Sequence, residues 1–172
     1  MSCQLPTAAQ MIMGVLPEVE IRPIQPGDEA AFRRLNEEWI VKHFGGMEEK
    51  DRETLSDPWG KIINPGGHIF LAFLGGQAIG CCALIPMEPG AFELVKMAVS
   101  ERCQGRGIGR KVLQHTVAQA RALGARRLWL ETNNKLENAI HLYEAVGFRH
   151  LAPEKRRPSP YVRSNVQMEM SL

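Results

Sequence analysis

Two hydrophobic periods alternate along the chain and divide it into elements. Val19 to Ile24 reads as a short strand; Pro26-Gly27 then turns the chain, and Asp28 stands as the N-cap of a helix. Phe32, Leu35 and Trp39 recur at i, i+3 and i+7, the stripe of an amphipathic helix. Residues 47–56 are charged and partly helical in pattern, and Asp57-Pro58 and Asn64-Pro65-Gly66-Gly67 break the chain after them. From Ile69 the period shortens. Ile69 to Leu74 and Ala78 to Ile85 are apolar runs joined by Gly75-Gly76, a two-residue hairpin turn. Glu88-Pro89-Gly90 makes the next turn, and Ala91 to Val99 is a third run, so the three predict an antiparallel meander. Their two-sided apolarity predicts helices on both faces.

The second half alternates helix and strand. Ile108, Val112, Val117, Ala120 and Leu123 form a helical stripe that Gly124 ends, and Arg127 to Thr132 is a strand. Ala139, Leu142, Tyr143 and Val146 form another stripe, stopped by Gly147. Phe148 to Leu151 begins a further strand, and Val166, Met168 and Met170 alternate with polar residues as a last one. The pattern predicts an α+β domain with a mixed sheet over residues 18–172, preceded by an extension over residues 1–17.

Composition narrows the function classes. Of 172 residues, 44% are hydrophobic and 23% charged, an ordinary globular balance. A net charge of +2, with its densest basic clusters at 126–127 and 155–157, argues against a nucleic-acid partner. No run is long enough to span a bilayer, and the short apolar stretch 11–16 has nothing basic before it, so neither a membrane partner nor a secretory signal is expected. A cytoplasmic location follows. The four cysteines (Cys3, Cys81, Cys82 and Cys103) contain no CxxC pair. The five histidines show no ligand spacing, so no metal is expected. Cys81 and Cys82 read as packing residues, and Cys103 as an incidental surface or loop thiol.

The segment Val99-Ser100-Glu101-Arg102-Cys103-Gln104-Gly105-Arg106-Gly107-Ile108-Gly109-Arg110 is the most informative. Three glycines in five residues sit where a helix begins, where unpaired N–H groups and a partial positive charge favour phosphate. A Walker loop would need Lys-Ser/Thr after the last glycine, and a dinucleotide fingerprint would need glycine at 110; Arg110 refuses both. The spacing Gln104-x-x-Gly107-x-Gly109 instead fits the Q/R-x-x-G-x-G/A loop that holds pyrophosphate in the GNAT acetyltransferases. The strand from Glu93 to Val99 leads into that loop, and Leu128 to Thr132 follows it. Ala139-Ile140-His141-Leu142-Tyr143-Glu144-Ala145-Val146-Gly147-Phe148 resembles the family's A-x-x-L-Y-x-x-x-G-F. Three motifs stand in the family's order. Many members carry an asparagine three residues before that alanine, where this chain has Leu136; Asn133, Asn134 and Asn138 are the neighbouring substitutes.

The resemblance implies an N-acyltransferase that moves acetyl from acetyl-CoA to a primary amine by direct attack. It also implies strands four and five splayed around the pantetheine arm. Main-chain groups of Met97, Ala98 and Val99 would hold that arm, with an N–H near Met97 polarising the thioester carbonyl. Gln104, Gly105, Arg106, Gly107, Ile108, Gly109 and Arg110 would hold the pyrophosphate, and Asn133 and Asn138 are further cofactor candidates. A neutral amine must attack, so a base is needed. Glu93 stands where some members carry one, although a solvent-facing strand residue is an equal reading; Glu131 is the second candidate. Tyr143 matches the position of the acid that protonates the leaving thiolate. Lys96 flanks the site. The competing classes are an acetyl-CoA-binding sensor without turnover and an unrelated ATP-binding fold. The acceptor would be met by residues 28–60 and 152–164. There Glu37, Glu38, Glu48 and Glu49 are either an attraction for a cationic amine or a solvated helix face. Family members are often homodimers.

Overall fold

The computed structural model describes residues 18–172, so the extension over 1–17, with Cys3, lies outside the described residues. Strand β1 (Glu20–Pro23) leads to helix α1 (Glu29–Phe44), helix α2 (Glu49–Ser56) and a π-helical turn over Trp59–Ile63. The meander follows as β2 (His68–Leu74), β3 (Gln77–Pro86) and β4 (Ala91–Val99). Then come α3 (Ile108–Ala122), β5 (Arg127–Thr132), α4 (Glu137–Val146), β6 (Arg149–His150) and β7 (Val166–Ser171). The seven strands form one sheet in the order β1-β2-β3-β4-β5-β7-β6. Among the described residues only the β4–β5 pair is parallel.

Period-2 burial divides the sheet between two cores, as adjacent residues in a strand point to opposite faces. Cys82, Leu84, Leu94, Leu128, Leu130 and Met168 pack under α3 and α4 with Val112, Leu113 and Tyr143. Cys81, Ala83, Leu71, Ile69 and Ala98 pack on the other face against Phe32, Leu35 and Ile40 of α1 and Leu55 of α2. The adjacent cysteines therefore serve different cores, and burial pushes both thiols up, that of Cys82 to about 12. Cys103 departs from expectation. It is buried in the α3 core at 1% exposure, because the 3₁₀ turn Glu101–Cys103 folds it inward before the glycine loop opens.

Two local expectations need correction. Asp28 stands at the start of α1 but makes no side-chain cap, because its carboxylate accepts from Arg22 and from the Gln25 N–H. The polar residues of β7 are not all outward: Gln167 is buried, its amide engaging the main chain of Arg157 in both directions. No helix among the described residues is long and apolar enough to cross a membrane.

Candidate active site

The cleft begins where β4 and β5 separate. Their parallel register runs Ala91↔Arg127, Phe92↔Leu128, Glu93↔Trp129 and stops there. On its other edge β4 stays paired to β3, with a bulge: Cys81 faces Ala98, but two residues on Ala83 faces Val95. The extra residue falls at Lys96 and Met97. Lys96 has φ 53°, a left-handed conformation that no other non-glycine among the described residues adopts. Such a bulge bends the strand and ends its pairing with β5.

Side chains from distant elements hold the bulge. The Cys81 thiol donates to the Lys96 carbonyl oxygen at 3.2 Å, and Asn36 of α1 donates to the Cys81 sulfur at 3.4 Å. The Lys96 ammonium donates to Asp51 of α2 at 2.6 Å and to the Tyr161 hydroxyl at 3.3 Å. Asp51 is 0% exposed and also accepts two bonds from Arg163, at 2.5 and 2.9 Å. Burial opposes its charge, yet these two cations keep its carboxyl below the ordinary aspartate range. Burial likewise lowers Lys96. Glu48, at the N-terminus of α2, accepts from the main-chain N–H groups of Val162 and Arg163, tying the 153–164 loop to the helix.

The cleft has a volume of about 850 Å³ and runs along the opened edge of β4. One end is the start of α3. That helix has no side-chain cap, so its first N–H groups have no side-chain acceptor. Gly107 occupies the N-cap at φ 73°, and a Cβ there would meet nothing within 4 Å, so the backbone faces open space. Gly109 is small for another reason: a Cβ would lie 3.2 Å from Leu142 of α4. These features fit a phosphate-bearing ligand, because exposed N–H groups at a helix start are what an anion needs.

Met97, Ala98, Val99, Gln104, Gly105, Gly107, Ile108, Gly109 and Arg110 all line this cleft, whereas Arg106 is exposed and does not. Ile108 places its side chain in the core, leaving its main chain to the cleft. Asn138 lines the cleft from the first turn of α4. Asn133 lines it too, but its side chain is committed: it donates to the Arg163 carbonyl at 2.5 Å and accepts from the Lys135 N–H at 2.8 Å, a local Asx turn.

Glu93, Tyr143 and Glu131 also line the cleft. Glu93 stands at the last paired position of β4, half-buried rather than solvent-facing. Burial and the nearby Glu131 carboxylate raise its carboxyl to about 7. Glu131 accepts from the Ser164 hydroxyl at 2.8 Å. Tyr143 packs edge-to-face on Phe148, with ring centroids 5.9 Å apart, and burial raises its phenol well above the usual range. None of Glu37, Glu38, Glu48 and Glu49 lines the cleft. Sequence reasoning did not single out Asp51, Tyr161 or Arg163. The one available signal was Asp51 lying four residues before Leu55 on the helix face that turns inward.

The sequence and the fold have counterparts among known proteins. The profile of the Acetyltransferase (GNAT) family matches residues 31–148. The chain is 33% identical over 129 residues to the uncharacterized N-acetyltransferase YjgM of Escherichia coli, covering 73% of this chain and 77% of that one. It is 30% identical over 102 residues to the uncharacterized N-acetyltransferase YvbK of Bacillus subtilis, covering 58% of this chain and 66% of that relative's length. The crystal structure of PaiA N-acetyltransferase from Thermoplasma acidophilum in complex with coenzyme A superposes with a TM-score of 0.70 at 18% identity, over 90% of this chain and 99% of that one.

Proposed function

The chain belongs to the acetyltransferase (GNAT) family, and from that premise we propose that it transfers acetyl from acetyl-CoA to a primary amine by direct attack. The observation that carries the reading is the joint placement in one cleft of Glu93, Tyr143 and the open glycine loop at the start of α3. The coenzyme A bound by the Thermoplasma acidophilum relative supports the donor.

The donor supplies a thioester already activated for acyl transfer, so the chain's own part is binding, orientation and proton handling. Main-chain groups of Met97, Ala98 and Val99, freed from β5 by the splay, meet the pantetheine arm. The N–H groups from Gly107 to Arg110 meet the pyrophosphate, with Gln104, Gly105 and the Arg110 side chain beside them. Gln104 donates to the Val99 carbonyl at 3.2 Å, which fastens the loop to the strand end. Arg106 and Asn133 contribute least, the one outside the cleft lining and the other engaged in its own turn.

An amine acceptor is largely protonated near neutral pH. Glu93, with its carboxyl near 7, is half ionised there and takes the proton that the amine must lose. Tyr143 is protonated throughout the physiological range. Its phenol gives its proton to the departing thiolate and is restored by the second proton, which the nitrogen sheds as it becomes an amide. Thiol release from acetyl-CoA, followed with a panel of primary amines across pH 5.5–9, tests the reading. It requires amine-dependent release whose kcat/KM rises through about pH 7. Release with no amine dependence at any pH would refute it.

A further inference from the structure

The acceptor must reach the thioester from the end of the cleft bounded by Trp39, Phe44, Tyr161 and Arg163, beside Glu93 and Glu131. The charges at this end can be paired off one by one. The Lys96 side chain is 5% exposed, and its ammonium is held by Asp51 and Tyr161. Arg163 spends two nitrogens on the Asp51 carboxylate and has Glu48 at 3.5 Å. Its guanidinium is further surrounded by the rings of Tyr161, Phe44 and Trp39, at 4.7, 5.5 and 6.0 Å from their centroids. Lys42, at the rim, is paired with Glu101, and His43 beside it is solvent-exposed. Buried Lys96 and part-buried Arg163 are thus matched by two carboxylates, Asp51 and Glu48. Lys50 and Arg157, whose charges also reach Glu93, are paired with Glu53 and Glu88. Among the described residues Glu93 and Glu131 are thus the charges at this end with no ion-pair partner, beside the rings of Trp39, Phe44 and Tyr161.

An acceptor carboxylate placed there would lose its water beside two carboxylates with no unpaired cation to replace it. An apolar or aromatic substituent would meet rings and lose nothing. Resting on the acetyl-transfer reading, we propose that this end selects primary amines that carry an aromatic or apolar group and no carboxylate, and rejects free α-amino acids. The two anions favour the approach of the cationic amine, which Glu93 then deprotonates. The Asp51 cluster contributes by removing Lys96 and Arg163 from the set of groups a carboxylate could pair with.

The test uses the full chain, acetyl-CoA and three acceptors of one shape: phenethylamine, phenylalanine methyl ester and phenylalanine. Thiol release should give kcat/KM values for the amine and the ester about tenfold or more above that for the free amino acid, the factor that ~1.4 kcal/mol corresponds to. Glu131→Gln removes one of the two charges while keeping a partner for Ser164, and it should narrow the ester-to-acid ratio by about threefold or more, or ~0.6 kcal/mol. Phenylalanine acetylated as well as its ester would overturn the proposal. So would a ratio that Glu131→Gln leaves unchanged, since selection would then not rest on charge. Binding of acetyl-CoA with none of the three acetylated would overturn the acceptor class alone. Failure to bind acetyl-CoA would overturn the acetyl-transfer reading itself.

Discussion

At the start of α3 the groups facing the cleft are main-chain N–H groups, set in place by glycines that leave open space around them. At the other end they are side chains brought together from α2, the β4 bulge and the 153–164 loop, with Asp51 reaching partners 45 and 112 residues away. The first kind of site is a property of a short stretch of chain and needs only that its helix form. The second exists only once the whole sheet and both helical layers have assembled. One consequence is that the two ends answer differently to substitution.

The largest difference is expected from Asp51→Ala. Removing the buried counter-ion of two cations should lower stability by about 3–5 kcal/mol in denaturant unfolding. Where the variant still folds, Cys81 and Asn36 still hold the bulge carbonyl, so its acetyl-CoA affinity should stay within about threefold of wild type, roughly 0.6 kcal/mol. Affinity falling in step with stability would mean that the ends are not separate.

Glu93→Gln should act on chemistry rather than on donor binding, lowering kcat by about 10²–10³ at pH 8 and abolishing the rise through pH 7. Tyr143→Phe should lower kcat by about tenfold, with acetyl-CoA affinity unchanged, because only the proton to the thiolate is withdrawn.

The smallest effect concerns stability and pH. The Glu93 carboxyl is raised from 4.5 to about 7 in the folded chain, so the folded state binds the proton more tightly than the unfolded one. The contribution is therefore fully present below about pH 4.5 and is lost as pH rises through about 7. Glu93→Gln should match wild type in thermal melting at pH 4.5 and exceed it by about 2–5 °C at pH 8. Equal melting at both values would place Glu93 in solvent.

The same contrast explains what was legible beforehand. The bounds of β4 and β5, the meander and the Gly75-Gly76 turn follow from local period and turn chemistry, and these agree with the structure. So does the glycine loop, because residues 104–110 carry their own geometry. The bulge was not legible, since nothing about a lysine in an apolar run announces φ 53°. Of its supports, Cys81 reads as a packing residue and Asn36 carries no signal of its own, yet they bond across 45 residues. Asp51 lies in the run Glu48-Glu49-Lys50-Asp51-Arg52-Glu53, which reads as a solvated face; only the tertiary fold selects that one acid for burial. Cys103 was misread for the same reason, as a loop position gives no hint that its side chain turns into the core.

The central claim is that the open helix start of α3 holds acetyl-CoA, and calorimetric titration of wild type beside Gly107→Glu tests it most directly. The substitution puts a carboxylate where the pyrophosphate is proposed to lie. The new Cβ has no protein atom within 4 Å, but φ 73° strains any L side chain there, so circular dichroism checks the fold. Gly107→Ala, which carries the same strain without the charge, is the control that should keep its affinity. The account predicts binding by wild type and a loss of about 100-fold or more in the folded variant. Equal affinity in the two proteins, or no binding by wild type, would contradict it.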